Sequence, residues 1–506
     1  MMEQPFWSRW RIAIVTAALL YLIFWIGLRA WSSLPDQALA WWLLPVLLSP
    51  IGLAINALSR RTTAGQLRSF LRFAWRYKVF DEGYPSYRFV DLLRALERLA
   101  AASIQAGSLE HAQPRHTLQT LLRDFTLIPP SASPQTRQCI GYEQHIFVPG
   151  EIYWCLQGPR WLAPTERVVI RLSTSMTGVG SSTRLEIAAR TADQAAVLFR
   201  WIAETALAHS IFRGQFLEVR YFTYAPYGET DTYHITNEIT VVFKPKPSVG
   251  AADIILDERI SRVLRRNVFD TFEQRDCLAA LGLPRKRALL FYGPPGTGKT
   301  HTCRHIHTLM PKVTSILVTG QSLVRMQEIG KFARQMHPCL VVIEDVDLVF
   351  TAREVNPYGT ALGDLMDQLD GFTPDEDVLF LLTTNAIERV EEAIRDRPGR
   401  INQCLYFGLP SPELRRRYLI QYLRPYDISA VDVDHLVQQT EQASQAFLKE
   451  YVLRAVQIGA EDAGFRPSSP HTLKTAHFDA AFDELTGHGD PHGHAIMGFR
   501  GERRPG

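Results

Sequence analysis

The octapeptide Gly293-Pro294-Pro295-Gly296-Thr297-Gly298-Lys299-Thr300 restricts the fold more than any other feature of the chain. It follows an apolar run, RALLFY at 287–292, and precedes a run of helical character. Its glycines allow successive backbone N–H groups to close around phosphates, and the helix start adds partial positive charge. Lys299 places a cation on β- and γ-phosphates, and Thr300 offers a hydroxyl to Mg2+. The pattern GxxxxGK[ST] in a strand–loop–helix setting therefore predicts an ATP and Mg2+ site at one end of an α/β sheet.

Further apolar runs at 313–318, 340–343, 378–382 and 403–407 alternate with helix-like stretches. Such alternation predicts a parallel sheet covered by helices on both faces, with ligands at the carboxyl ends of the strands. Glu344 and Asp345, in LVVIEDVDLVF at 340–350, and Asn385, in TTN at 383–385, fall at such ends. The acids stand in the order Glu then Asp, the reverse of the more frequent one. An Asp at the water-activating place is one methylene short, and a misplacement of roughly 1 Å can cost on the order of 10²-fold in rate.

With GPPGTGKT, the TTN run and VEEAIRDRPGR at 390–400 in place, residues 255–486 resemble the AAA branch of P-loop ATPases. The resemblance implies a large ATPase subdomain at 255–410 and a helical lid at 411–486. It implies that Asn385 hydrogen-bonds the attacking water or the γ-phosphate. It maps Arg397 and Arg400 onto arginines that reach a neighbouring subunit's ATP, a contribution on the order of 10³–10⁵ in rate. Arg395 is expected to be a solvated or structural neighbour. Arginines acting in trans imply a ring of identical subunits; the resemblance implies a hexamer or another ring size. Glu344 is expected to orient Mg2+ through water, Asp345 to position or polarise the attacking water, and Asp347 to brace the site or a neighbouring subunit. In the lid, SQAFL at 444–448 keeps only Ala446 of the Gly-Ala pair usual in the family's second sensor.

The chain of 506 residues is too long for one domain, and its net charge of +3 gives no global pull toward nucleic acid. Residues 12–28 and 38–58 are two uncharged apolar runs, the second containing Pro45 and Pro50. Each approaches the roughly 20 residues that cross a bilayer, where proline is tolerated. Joined by the short linker 32–37, they predict two transmembrane helices over 1–60. Arg9 and Arg11 precede the pair, and Arg60, Arg61, Arg68, Arg72, Arg76 and Lys78 follow it. The positive-inside rule then places both termini and the ATPase domain on the cytoplasmic side. A helical linker region is expected over 61–138, including an amphipathic helix at 87–104. An α+β middle domain is expected over 139–250, with strands at 167–173, 183–190, 215–224 and 238–246 and a helix at 192–209. The tail, 487–506, is expected to be disordered; His488, His492 and His494 there leave metal binding as an alternative. Six scattered cysteines, with no CxxC spacing, suit reduced thiols.

Two absences narrow the class. No HExxH occurs, so the sequence lacks the signature of a zinc protease. The stretch 321–338 is short for a protein-threading pore loop and lacks its aromatic; Ile329-Gly330 resembles half of that motif, while Met326 and Ile329 serve equally as packing residues. This combination resembles a subgroup of AAA proteins, the membrane-anchored translocases of the mitochondrial Rieske protein and bacterial relatives. The expectation is a membrane-anchored ring that couples ATP hydrolysis to remodelling or translocating a protein whose identity the sequence leaves open. The alternative is a nucleotide-gated membrane scaffold with little hydrolysis. No nucleic-acid partner is expected.

Overall fold

The computed structural model describes residues 62–112, 117–123, 131–132, 135–159, 166–177, 180–221, 225–226, 233–234, 239–247, 254–347, 365, 367, 369, 371–373, 376–388, 390, 400–465 and 472–487. The expected membrane pair at 1–60, Arg395, Arg397 and the tail beyond 487 lie outside the described residues. Among the described residues no helix is long and apolar enough to cross a membrane. The chain divides into two compact units, the first ending at Ala208 and the second running from His209, with residues 139–146 and 178–180 grouped with the second.

The first unit is built on a five-stranded sheet. Its elements are α1 (Thr63–Leu71), β1 (Lys78–Pro85), α2 (Phe89–Ala101), β2 (Ser103–Leu109), α3 (Leu118–Arg123), β3 (Glu151–Pro159), β4 (Arg167–Thr177), β5 (Gly180–Ala189) and α4 (Ala192–Ala208). The strand order is β1-β5-β4-β3-β2. The expected helical linker over 61–138 is thus corrected: two of its strands, β1 and β2, close both edges of this sheet. The reason lies in antiparallel pairing, which joins Lys78–Pro85 to Ser182–Ala189 and Ser103–Leu109 to Tyr153–Pro159 across long sequence separations that local periodicity does not register. The expected helix at 87–104 is α2, whose Phe89, Leu92, Leu96 and Leu99 repeat at helical spacing and are wholly buried.

A buried charge cluster ties the sheet of this unit together. Arg171 Nε on β4 donates to Glu151 Oε1 at 2.7 Å, and its Nη1 donates to Glu186 Oε2. The Tyr153 hydroxyl also donates to Glu151, and the Leu118 N–H donates to Glu186 Oε1 at 3.1 Å. All three charged residues are buried. Removing one member of such a group would leave the others without compensation.

The second unit carries a seven-stranded sheet. Its strands are β6 (Phe216–Tyr221), β7 (Ile239–Phe243), β8 (Arg287–Tyr292), β9 (Thr314–Val318), β10 (Cys339–Ile343), β11 (Val378–Thr384) and β12 (Gln403–Tyr406). They lie in the order β7-β6-β9-β10-β11-β8-β12. Every neighbour pair is parallel except β6 with β7. This corrects the boundary of the middle domain expected at 250. Strands β6 and β7 extend the nucleotide-binding sheet, and the unit begins near 209. Phe216 to Val219 are buried in sequence, as a strand covered on both faces requires, and the Phe216 ring stacks on His307 at 4.8 Å.

The helices of this sheet include α5 (Glu258–Leu264), α6 (Lys299–Leu309) and α7 (Met326–Gln335). Met326 and Ile329 are fully buried on α7, so both are packing residues and not the tip of a projecting loop. The lid follows as α8 (Pro412–Leu423), α9 (Val433–Gln439), α10 (Gln445–Asp462) and α11 (Thr475–Leu485). Its starts are capped as the sequence dictates: Ser411 accepts from Leu414 N with Pro412 in the first turn, Asp432 from His435 N, and Ser444 from Phe447 N. Phe447, Tyr451, Leu419 and Phe478 form its core, joined by Ile255, whose carbonyl accepts from the Tyr418 hydroxyl.

Candidate active site

The loop at 293–300 is shaped by close approaches that only glycine permits. Gly293 has φ 142°, and a Cβ there would lie 2.2 Å from the Phe407 carbonyl oxygen, beyond the end of β12. Gly298 has φ 93°, and a Cβ would lie 2.4 Å from Gln445 Oε1. The lid reaches the loop directly, because Ala446 N donates to the Gly296 carbonyl at 3.0 Å. The Thr297 hydroxyl donates to the Pro294 carbonyl at 2.9 Å and fixes the turn from within, with Pro295 inside it. Lys299 opens α6, and its Nζ donates to the carbonyls of Gly293 and Pro294, each at 2.8 Å. Burial pulls the Lys299 ammonium down to about 8, against the opposing charges of Asp345 and Asp347.

The acids lie where the strand order predicts. Glu344 N still donates to Val318 O at 3.3 Å, so Glu344 prolongs the ladder of β10 by one residue. Its carboxylate is hydrogen-bonded by Thr300 and faces the charge of Arg304; burial raises its pKa and those two partners oppose the rise. Asp345 then leaves the ladder at φ 50°, a left-handed conformation costly for a residue with a Cβ. Two groups of β11 and its end hold it there. Asp345 N donates to Thr383 Oγ1 at 3.0 Å, and Asn385 Nδ2 donates to Asp345 Oδ1 at 3.1 Å. Burial raises the Asp345 pKa and the neighbouring Asp347 raises it further, while Lys299 and Asn385 oppose. Asp347 is buried and accepts from Thr384 Oγ1 at 2.8 Å and from Asn385 N at 3.3 Å. It thereby locks the segment that carries Asn385 to the segment that carries Asp345.

The structure thus brings Lys299, Thr300, Glu344, Asp345 and Asn385 to one place. Arg400 lies at the start of the segment leading into β12, mostly shielded, with its guanidinium 3.7 Å from Asp367 within the same chain. Four residues that the motif alone does not single out complete the arrangement: Thr383 and Thr384, which hold the two aspartates, and Ser444 and Gln445, which pack on the glycines. Only the hydroxyl-rich TTN run gave a signal for the first pair; the second pair is visible only once the lid is folded.

The donor set fits a hard divalent cation. A Thr hydroxyl and a carboxylate already converge by hydrogen bonding, and both are oxygen ligands of the type Mg2+ prefers. Thr300 would hold the ion, with Glu344 beside it through water. The ion would supply charge neutralisation across the phosphates of ATP.

A mostly parallel sheet with a glycine loop, a lysine and strand-end acids defines a P-loop nucleotide hydrolase. Comparison with known proteins narrows the class. Residues 289–409 match the family described as "ATPase family associated with various cellular activities (AAA)". One curated relative is "ATP-dependent zinc metalloprotease FtsH 2" from Thermoanaerobacter sp. (strain X514), 27% identical over 330 residues, which cover 58% of this chain and 61% of the relative. The matched segment is an AAA P-loop ATPase domain, with ATP as its nucleotide and Mg2+ as its metal. The match thus spans less than two thirds of that relative's length.

Proposed function

We propose that the chain is a membrane-anchored ATPase that works as a homo-oligomeric ring, a hexamer, and couples ATP hydrolysis to remodelling or translocating a protein. The carrying observation is the grip on Asp345. Its main chain is held in a strained conformation by Thr383 and its carboxylate is oriented by Asn385, beside Lys299 and Glu344. A scaffold that only binds nucleotide has no use for a strained, oriented acid at that position. Asp345 positions the attacking water and takes up its proton, a role served by a carboxyl group whose pKa is raised. Lys299 binds the phosphates, and Asn385 fixes both Asp345 and the water. Arg397 and Arg400 act on the ATP of the neighbouring subunit, which makes the ring the active unit.

The two uncharged runs at 12–28 and 38–58, with arginines on both flanks, support the anchor and a cytoplasmic orientation of the ATPase domain. The buried positions of Met326 and Ile329 support a ring that does not grip an unfolded chain with an aromatic pore loop. The test is substrate trapping. Asp345→Asn in its native membrane, cross-linked with ATP present, is expected to retain a protein that the Lys299→Ala form does not. Equal recovery from both forms contradicts a protein substrate.

A further inference from the structure

The first unit exposes a compact group of aromatic and basic side chains immediately after the expected membrane segment. Trp75 is 78% exposed and Phe73 is 53% exposed, unusual for large apolar side chains near the end of a well-packed helix. The Arg76 guanidinium lies 4.9 Å from the Trp75 ring centroid and 5.4 Å from that of Phe73. Arg72 and Lys78 are also exposed. Arg72 adopts φ 59°, a costly conformation for a non-glycine residue, and turns the chain between α1 and the aromatic pair. A cleft of about 250 Å³ adjoins Trp75, with Arg123 on its wall beside Tyr77 and Leu122. The nearest acids along the chain are engaged elsewhere: Asp81 with Arg184 at 2.7 Å, and Glu82 with the Tyr84 hydroxyl at 2.6 Å.

We infer that this turn, residues 72–78 with Arg123, is a docking surface for an anionic bilayer, inserting Trp75 and Phe73 at the headgroup level while the cations meet lipid phosphates. The inference rests on the membrane anchor proposed above. Three observations select a lipid surface as the occupant. Indole and phenyl rings flanked by Arg and Lys match the amphipathic character of the membrane interface. The charge is complementary to the anionic cytoplasmic leaflet. The tether is short, since three residues separate the apolar run ending at 58 from Thr62, and α1 then spans only nine residues, roughly 14 Å. A helix lying along the membrane plane therefore delivers the turn to the same surface from which the chain emerges. The turn would fix the orientation of the first unit on the bilayer by adding a second point of attachment beside the proposed anchor.

The experiment uses the full chain in vesicles of phosphatidylcholine with phosphatidylglycerol, and in vesicles of phosphatidylcholine alone. Trp75→p-benzoylphenylalanine is photo-cross-linked and the adducts are identified by mass spectrometry. Val197→p-benzoylphenylalanine, on the exposed face of α4 in the same unit, is the comparison. Position 75 is expected to yield lipid adducts, enriched in phosphatidylglycerol, and position 197 none. Adding Arg72→Gln, Arg76→Gln and Lys78→Gln should abolish the preference for phosphatidylglycerol. Equal lipid labelling at 75 and 197, or none at 75, overturns the docking surface. Alkaline carbonate extraction of the same vesicles reads the anchor separately: release of the chain overturns the two-helix reading whatever position 75 labels.

Discussion

Thr383→Val removes one hydroxyl and leaves the shape of the side chain nearly unchanged, which makes it a direct probe of Asp345. Thr383 is wholly buried on β11, and its Oγ1 accepts from the Asp345 N–H at 3.0 Å. That N–H belongs to a residue at φ 50°, so the bond lost is one that holds a strained turn. Leaving such a donor unsatisfied costs about 1–3 kcal/mol. If that cost falls on the transition state, turnover drops by about 5- to 150-fold, at about 1.4 kcal/mol per factor of ten. The Asn385–Asp345 bond and the phosphate loop are untouched, so nucleotide affinity should stay at the wild-type value. The assay is steady-state ATP turnover of the full chain in vesicles, with equilibrium binding of a fluorescent ATP analogue alongside. Thr383→Ser, which keeps the hydroxyl, should retain most of the turnover. Wild-type turnover in Thr383→Val, or a loss that tracks weakened binding, would refute the claim that the turn places Asp345 for catalysis.

Other consequences follow from the same geometry. With Lys299 lowered to about 8 from 10.5, the unfolded chain holds a proton between those values that the folded site has lost, so this group makes stability without nucleotide rise with pH across that window. Phosphates favour the ammonium, so ATP binding takes up a proton above pH 8 and the affinity should fall by roughly tenfold per pH unit there; binding by Lys299→Arg should be flat over the same range, and a flat wild-type profile counts against the buried lysine. Gly293→Ala places a Cβ against the Phe407 carbonyl in a conformation reserved for glycine, and should lower the thermal midpoint of the ATPase unit and abolish nucleotide binding; normal binding contradicts the packing. Rings co-assembled from Lys299→Ala and Arg397→Ala subunits, each inactive alone, should regain turnover if the arginine acts on the neighbour's ATP; no recovery at any mixing ratio speaks against action in trans. Arg171→Leu leaves Glu151 and Glu186 buried without their cation and should destabilise the first unit by about 3–5 kcal/mol, read by urea unfolding; an unchanged midpoint contradicts the cluster.

Much of the site was legible because phosphate chemistry constrains consecutive residues. The glycine loop, Lys299 and Thr300 sit in one octapeptide, and the strand-end positions of Glu344, Asp345 and Asn385 follow from apolar runs that stop abruptly. Partners that meet across the fold were not legible in that way. Ser444 and Gln445 touch Gly296 and Gly298 from about 150 residues away, and nothing local in either segment encodes that contact. The same reason explains the misplaced boundary. FLEVRY at 216–221 reads as a strand in isolation, but its neighbour in the sheet is Thr314–Val318, so its membership of the ATPase unit is a fact of pairing and not of periodicity. Strands β1 and β2 were missed because KVFDEGYP and SIQAGSL lie mostly exposed at the sheet edges, where the alternation of buried and exposed side chains is weak.

The proposed hydrolysis depends on a strand that ends in Glu344-Asp345, in that order. The decisive measurement is steady-state ATP turnover of the full chain in vesicles, beside Lys299→Ala and Asp345→Asn. The expected result is Mg2+-dependent turnover in the wild type, loss of binding and turnover in Lys299→Ala, and retained ATP binding with turnover lowered on the order of 10²-fold or more in Asp345→Asn. Wild-type turnover no faster than that of either variant would contradict it, and would leave a protein that binds ATP without using it.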